Sequence, residues 1–162
     1  MVADPGSPEN YMRLELLARP ENVALARVAV AAFAAQANFT LADLEEIKLC
    51  VSEAVSNVVL HAYPDGPGPV VIAAYFAAEK LVIEVTDQGI GIADVDKARE
   101  AQFSTLPDHM GLGFVFMESF MDTVAVDSTP GRGTKITMTR RLPSGIAAGT
   151  GDGTDRSREV DP

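Results

Sequence analysis

Glu53 and Asn57 stand four residues apart in a stretch with helical periodicity, so their side chains are neighbours on one face. A carboxylate there can take a proton from water or a hydroxyl, and the amide beside it offers a neutral oxygen of the kind Mg²⁺ accepts. Ile47, Val51, Ala54 and Val58 form an apolar stripe on the same helix, with Glu46, Glu53 and Asn57 along its flank. A solvated helix flank accounts for the same residues equally simply.

Three glycine-bearing segments follow. Asp87-Gln-Gly-Ile-Gly-Ile92 comes directly after a β-branched run. Gly89 and Gly91 allow positive φ and close backbone approach, and Asp87 just before them is an acceptor able to receive the exocyclic amine of a purine. The segment lacks the third glycine of the dinucleotide fingerprint, and a plain tight turn also fits. Gly111-Leu-Gly113 opens a helical stretch, where free N–H groups and the positive dipole end suit phosphate. Gly131-Arg-Gly-Thr-Lys135 reads as a hairpin turn in which Thr134 can reach a ring or a water. Each of the three also serves as ordinary turn or helix-start chemistry.

The elements that must position these residues are legible in outline. Met12 to Leu17 alternates like a strand, and Arg19-Pro-Glu21 starts a helix that carries Val23, Val28 and Phe33 along one side. Thr40 and Asp43 resemble a capping box, and a long helix is expected from Leu41 to about Ala62, stopped by Pro64 to Gly68. Val70 to Phe76 and Lys80 to Thr86 read as a strand pair. Asp94 to Ala101 is expected as a short helix, Phe103 to Met110 as a loop, and Gly111 to about Met121 as a helix. Thr123 to Asp127 and Thr134 to Arg140 complete the strands. The order predicts an α+β fold: a two-layer sandwich whose mixed, mostly antiparallel sheet is covered on one face by helices. Residues 1–10 and 143–162 are expected to be a flexible N-terminus and a solvated tail around one domain, 11–142.

Composition narrows the function classes. The chain has 162 residues, 47% apolar and 22% charged, as expected of one globular domain. With 23 acidic against 13 basic residues the formal charge is -10, which argues against nucleic acid as a direct partner. The one cysteine, Cys50, permits no internal disulfide and suits a reducing cytosol. No apolar run approaches the ~20 residues of a membrane span, so a cytoplasmic protein is expected.

Taken in order, the four segments resemble the GHKL ATPase superfamily shared by histidine kinases, gyrase and mismatch-repair ATPases. Glu53-Ala-Val-Ser-Asn57 is similar to its N box, Asp87 to Gly91 and Gly111 to Gly113 to its glycine boxes, and Gly133-Thr134 to its late Gly-Thr box. Ala18-Arg-Pro-Glu-Asn22, Ala26-Arg-Val28, Glu46-Ile-Lys48, Val51-Ser-Glu-Ala-Val55 and Phe116-Met-Glu-Ser-Phe-Met-Asp122 narrow the resemblance to the bacterial anti-sigma factor serine kinases, over Tyr11 to Leu142.

That resemblance implies a homodimer that sequesters a sporulation sigma factor and phosphorylates a serine of its anti-anti-sigma protein, using ATP and Mg²⁺ and holding ADP or ATP. It implies Glu53 as general base and Asn57 as the Mg²⁺ ligand. It implies Asp87 as the adenine acceptor, with Gly89 and Gly91 giving clearance. Gly111 and Gly113 would lie beside the phosphates, Thr134 would contact adenine through water, and Arg27 would be the partner-docking residue. His61 is expected to be a packing residue and His109 a solvated one. Phe103 to Met110, where the family places a Lys or Arg against the γ-phosphate, contains neither. Three other readings remain: a nucleotide-gated anti-sigma module without useful kinase activity, a regulator of a general-stress sigma factor, and a phosphodonor to histidine. A ligand-free α+β domain is the plainest alternative.

Overall fold

Strict alternation along the strands decides which side chains face the helices. The computed structural model describes Pro8, residues 10–100 and residues 111–144. In β2 (Pro69–Ala77) Val70, Ile72 and Ala74 are fully buried, and in β3 (Lys80–Asp87) so are Leu81, Ile83 and Val85. The same period carries Asp87, the last residue of β3, onto the buried face. β1 (Asn10–Leu17) pairs with β2, β4 (Thr123–Thr129) pairs with β5 (Gly133–Arg141), and β5 returns between β4 and β3.

The sheet order is β1-β2-β3-β5-β4, and all four pairings are antiparallel. The expected mixed sheet therefore has no parallel pair among the described strands. After β3 the chain next enters the sheet at its far edge, as β4, and β5 then turns back beside β3. Strand β1 begins at Asn10, a residue expected to lie in the flexible N-terminus. Its pairing with Phe76 extends the sheet to that position.

Helices α1 (Pro20–Ala34) and α2 (Leu41–Asn57) cover the buried face, joined by α4 (Gly113–Phe120) beside α2. A short α3 (Val95–Arg99) follows the glycine-rich loop. The Thr40 capping box is present, with Asp43 accepting from the Thr40 backbone N–H at 2.8 Å. The apolar stripe Ile47, Val51, Ala54 and Val58 is buried against the sheet, and burial of each large side chain contributes about 1.5–3 kcal/mol. Val28, expected on the buried side of α1, is instead 55% exposed. Arg140 of β5 reaches up to Asp43 and Glu46 and donates to the Phe120 carbonyl, which ties α2 and α4 to the sheet. Among the described residues no helix is long and apolar enough to cross a membrane.

Candidate functional site

Helix α2 does not run to Ala62 as a regular helix. It ends at Asn57, and Val58–Ala62 continues as a π turn. Such wider turns recur at functional sites because they rotate the residues beyond them out of the α-helical register. Here the π turn brings the Ala62 carbonyl to the Ile90 backbone N–H, 2.9 Å away. It also leaves His61 exposed at the rim of a cavity, which corrects the expected packing role: the 100° spacing used to place it fails past Asn57. Tyr63 follows. Its hydroxyl donates to the Pro69 carbonyl and accepts from the Gln88 N–H at 2.9 Å, strapping the glycine-rich loop to the helix end.

The glycines of that loop make room for protein backbone. A β-carbon on Gly89 would stand 2.2 Å from the Ala62 carbonyl oxygen. On Gly91, whose φ is +73°, it would stand 2.5 Å from the Thr129 carbonyl oxygen. The loop is thus wedged between the end of α2 and the β4–β5 turn, and the Gly131 N–H donates to Ile90 O at 2.8 Å. The clearance assigned to these glycines serves this wedging. Gly91 also lines the cavity, whereas Gly89 lies beneath it.

Wedging fixes Asp87. The residue is only 6% exposed, and one carboxylate oxygen accepts from the Gly89 N–H at 2.8 Å. Burial pushes its carboxyl above the usual carboxylate range, opposed by the backbone N–H groups of Gly89 and Thr134. Thr134 lies beside it on the same buried face of β5, and Ser128 of β4 is its direct cross-strand partner. Ser128 Oγ is 2.9 Å from Thr134 Oγ1 and accepts from the Ile92 N–H at 2.8 Å.

Residues of α2, α3 and the start of α4 also line the cavity. Gly113 opens α4 against α2: a β-carbon on it would lie 3.0 Å from Glu53 Oε2 and 3.7 Å from Asn57 Nδ2. Gly111 adopts φ +62° in the approach to that helix. Lys97 of α3 also lines the cavity and is the only Lys or Arg among its described lining residues.

One cavity of about 900 Å³ therefore gathers Glu53, Asn57, Asp87, Gly91, Gly111, Gly113 and Thr134. Arg27 is exposed on α1 and does not line it. His109 and the stretch Phe103 to Met110 lie outside the described residues. Sequence reasoning missed Tyr63, Lys97 and Ser128. For Ser128 the available signal was its alternation with Val124 and Val126, which places it on the buried face.

The volume falls in the range of small-molecule sites, about 300–1,000 Å³. Asn57 is the neutral oxygen donor in it, and among the described residues no three His, Cys, Asp or Glu side chains group to hold a metal. That donor set fits a Mg²⁺ carried largely by substrate phosphates better than one caged by protein.

Comparison with known proteins identifies the family. Residues 16–140 match the family described as the histidine kinase-like ATPase domain. The anti-sigma F factor of Clostridium acetobutylicum is 45% identical over 136 residues, covering 83% of this chain and 95% of that protein. The anti-sigma F factor of Caldanaerobacter subterraneus is 44% identical over 135 residues, covering 82% of this chain and 94% of that one. A structure of the RsbU and RsbW domains of a Mycobacterium tuberculosis protein superposes with a TM-score of 0.59 at 21% identity, over 83% of this chain and 32% of that one. A blue-light activated histidine kinase from Erythrobacter litoralis does so with a TM-score of 0.52 at 19% identity, over 72% of this chain and 42% of that one. These two likenesses speak for the fold, and the sequence matches for the family. The chain belongs to the histidine kinase-like ATPase domain family and, within it, to the anti-sigma F factors.

Proposed function

We propose that this protein is an anti-sigma factor and an ATP-dependent protein serine kinase, whose substrate is a serine of an anti-anti-sigma protein. The observation that carries the reading is that a buried purine-type acceptor, Asp87, and the Glu53–Asn57 pair line one and the same cavity. In this reading adenine sits over Ile136 and against Asp87 and Thr134, and the phosphates run toward Gly111, Gly113 and Asn57. Asn57 is the residue that would hold Mg²⁺, which supplies charge neutralisation to the phosphates when bound.

The chemistry on the protein side belongs to Glu53. Its carboxylate takes the proton of the substrate serine hydroxyl as that oxygen attacks the γ-phosphorus. The bond from the γ-phosphorus to its bridging oxygen breaks, ADP leaves, and the proton passes from Glu53 to solvent. Lys97 provides positive charge at the phosphate end, where the stretch Phe103 to Met110 contains no Lys or Arg.

The partner surface lies on α1. Arg27 is exposed there, Leu25 and Val28 are exposed elsewhere on the same helix, and Leu17 is exposed on the edge strand before it. A charge and exposed apolar side chains on one helix suit a sigma factor, an anti-anti-sigma protein or a second copy of the chain. A sporulation sigma factor and a homodimer complete the proposal.

The absence of Lys and Arg from Phe103 to Met110 favours one second reading, a nucleotide-gated anti-sigma module that transfers no phosphate. Incubation with γ-labelled ATP and a cognate anti-anti-sigma protein separates the two. Label on the substrate serine supports the kinase; ATP-dependent capture of the sigma factor without any label would establish the second reading instead.

A further inference from the structure

Ser128 does not line the cavity, yet its hydroxyl sits behind the residue that does. Three groups converge on Ser128 Oγ: the Ile92 N–H at 2.8 Å, the Gly133 carbonyl oxygen at 3.1 Å and Thr134 Oγ1 at 2.9 Å. A serine hydroxyl has one proton to donate and two lone pairs to accept with. The Ile92 N–H can only donate and the Gly133 carbonyl can only accept. All three contacts are satisfied in one way: Ser128 donates to Gly133 and accepts from both Ile92 and Thr134. The Thr134 proton is then committed to Ser128, so Thr134, which lines the cavity, has only the lone pairs of its Oγ1 left to offer.

We infer that Ser128 is a positioning residue that holds the Thr134 hydroxyl as an acceptor, so that the base end of the cavity favours an amino-bearing purine over an oxo-bearing one. The inference rests on the nucleotide reading above and deepens it. Asp87 beside Thr134 is also an acceptor, and its carboxylate already receives the Gly89 N–H. Two acceptors side by side suit an exocyclic amine, which has two N–H donors. They leave a ring carbonyl unpaired against lone pairs, and an unsatisfied buried polar contact is costly. Without the Ser128 oxygen, the Thr134 hydroxyl turns freely and can donate to a carbonyl.

The test is calorimetric titration of the full-length protein and of Ser128→Ala with ADP and with IDP, whose base has a ring carbonyl and no exocyclic amine. The wild type should prefer ADP. In Ser128→Ala the ADP:IDP affinity ratio should fall about tenfold, the equivalent of ~1.4 kcal/mol. Ser128→Thr, which keeps the hydroxyl, should restore the ratio. In a Thr134→Ala background the Ser128 substitution should leave the ratio unmoved, because the effect passes through the Thr134 hydroxyl. A Ser128→Ala protein that loses ADP and IDP affinity equally would reduce Ser128 to a structural role and overturn the inference. A wild type that binds neither nucleotide would instead overturn the underlying site reading.

Discussion

Gly113, the first residue of α4, packs directly onto Glu53 of α2, so that a β-carbon there would stand 3.0 Å from the carboxylate oxygen Oε2. This contact joins the proposed phosphate-binding helix start to the proposed base. Gly113→Ala should therefore push Glu53 by a few tenths of an ångström while adding a good helix former. We expect phosphotransfer to drop about tenfold, with thermal stability unchanged or higher. Unaltered kcat in a folded Gly113→Ala protein would remove the contact from the mechanism.

Glu53→Gln keeps the shape of the side chain and removes its ability to take a proton. Transfer to the substrate serine should fall by about 10²- to 10⁴-fold, the usual worth of general base catalysis. ATP affinity, measured by calorimetry, should stay within about threefold of wild type, since the proposed role of Glu53 is to take a proton and not to hold the adenine. Equal loss of binding and transfer would argue that Glu53 only shapes the site.

Asn57→Ala tests the metal. With Asn57 present, ADP should bind more tightly in excess Mg²⁺ than in EDTA. In the variant the two affinities should converge, because the neutral oxygen proposed to hold the ion is gone. A variant that keeps the full magnesium effect would assign the ion to other groups.

Asp87 makes binding pH-dependent with a definite sign. Burial raises its carboxyl pKa, and only the ionised form presents acceptors alone to an amine. ADP affinity should weaken as pH falls through that raised pKa, with proton release on binding near it. The folding term has the opposite direction. A raised folded pKa favours the fold when Asp87 is protonated, and that contribution is lost as pH rises through the folded value. Asp87→Asn should thus weaken ADP binding by about 10- to 100-fold without lowering the melting temperature at neutral pH. A lower melting temperature with intact binding would reverse the assignment.

Lys97 should be felt through phosphate charge. Lys97→Ala is expected to weaken ADP about threefold to fivefold, as befits an exposed cation, and to leave adenosine affinity alone. The effect should shrink in high salt. Equal effects on ADP and adenosine would place Lys97 at the base instead.

Much of the fold was readable because local patterns had only one sensible outcome. Alternation from Val70 to Val85 demanded strands with one buried face, and the Thr40–Asp43 box marked the start of α2. The stripe Ile47, Val51, Ala54 and Val58 set which side of that helix is buried. The four motif segments were legible as a set, since the resemblance supplied an order that no single glycine pair could.

Other features depended on contacts between distant segments. The π turn at Val58–Ala62 has no local signature; docking of the Ala62 carbonyl on Ile90 accompanies it, and His61 consequently leaves the packed face. The wedge functions of Gly89 and Gly91 need to know which carbonyl lies opposite, and these belong to Ala62 and Thr129. Ser128 gains its role only when β4 pairs with β5 in the register that sets it against Thr134. Residue types and periodicity thus settled the elements, their buried faces and the chemical groups on offer. Which groups meet, and which hydroxyl must donate, was decided by long-range packing and strand register, because hydrogen-bond direction depends on every neighbour at once.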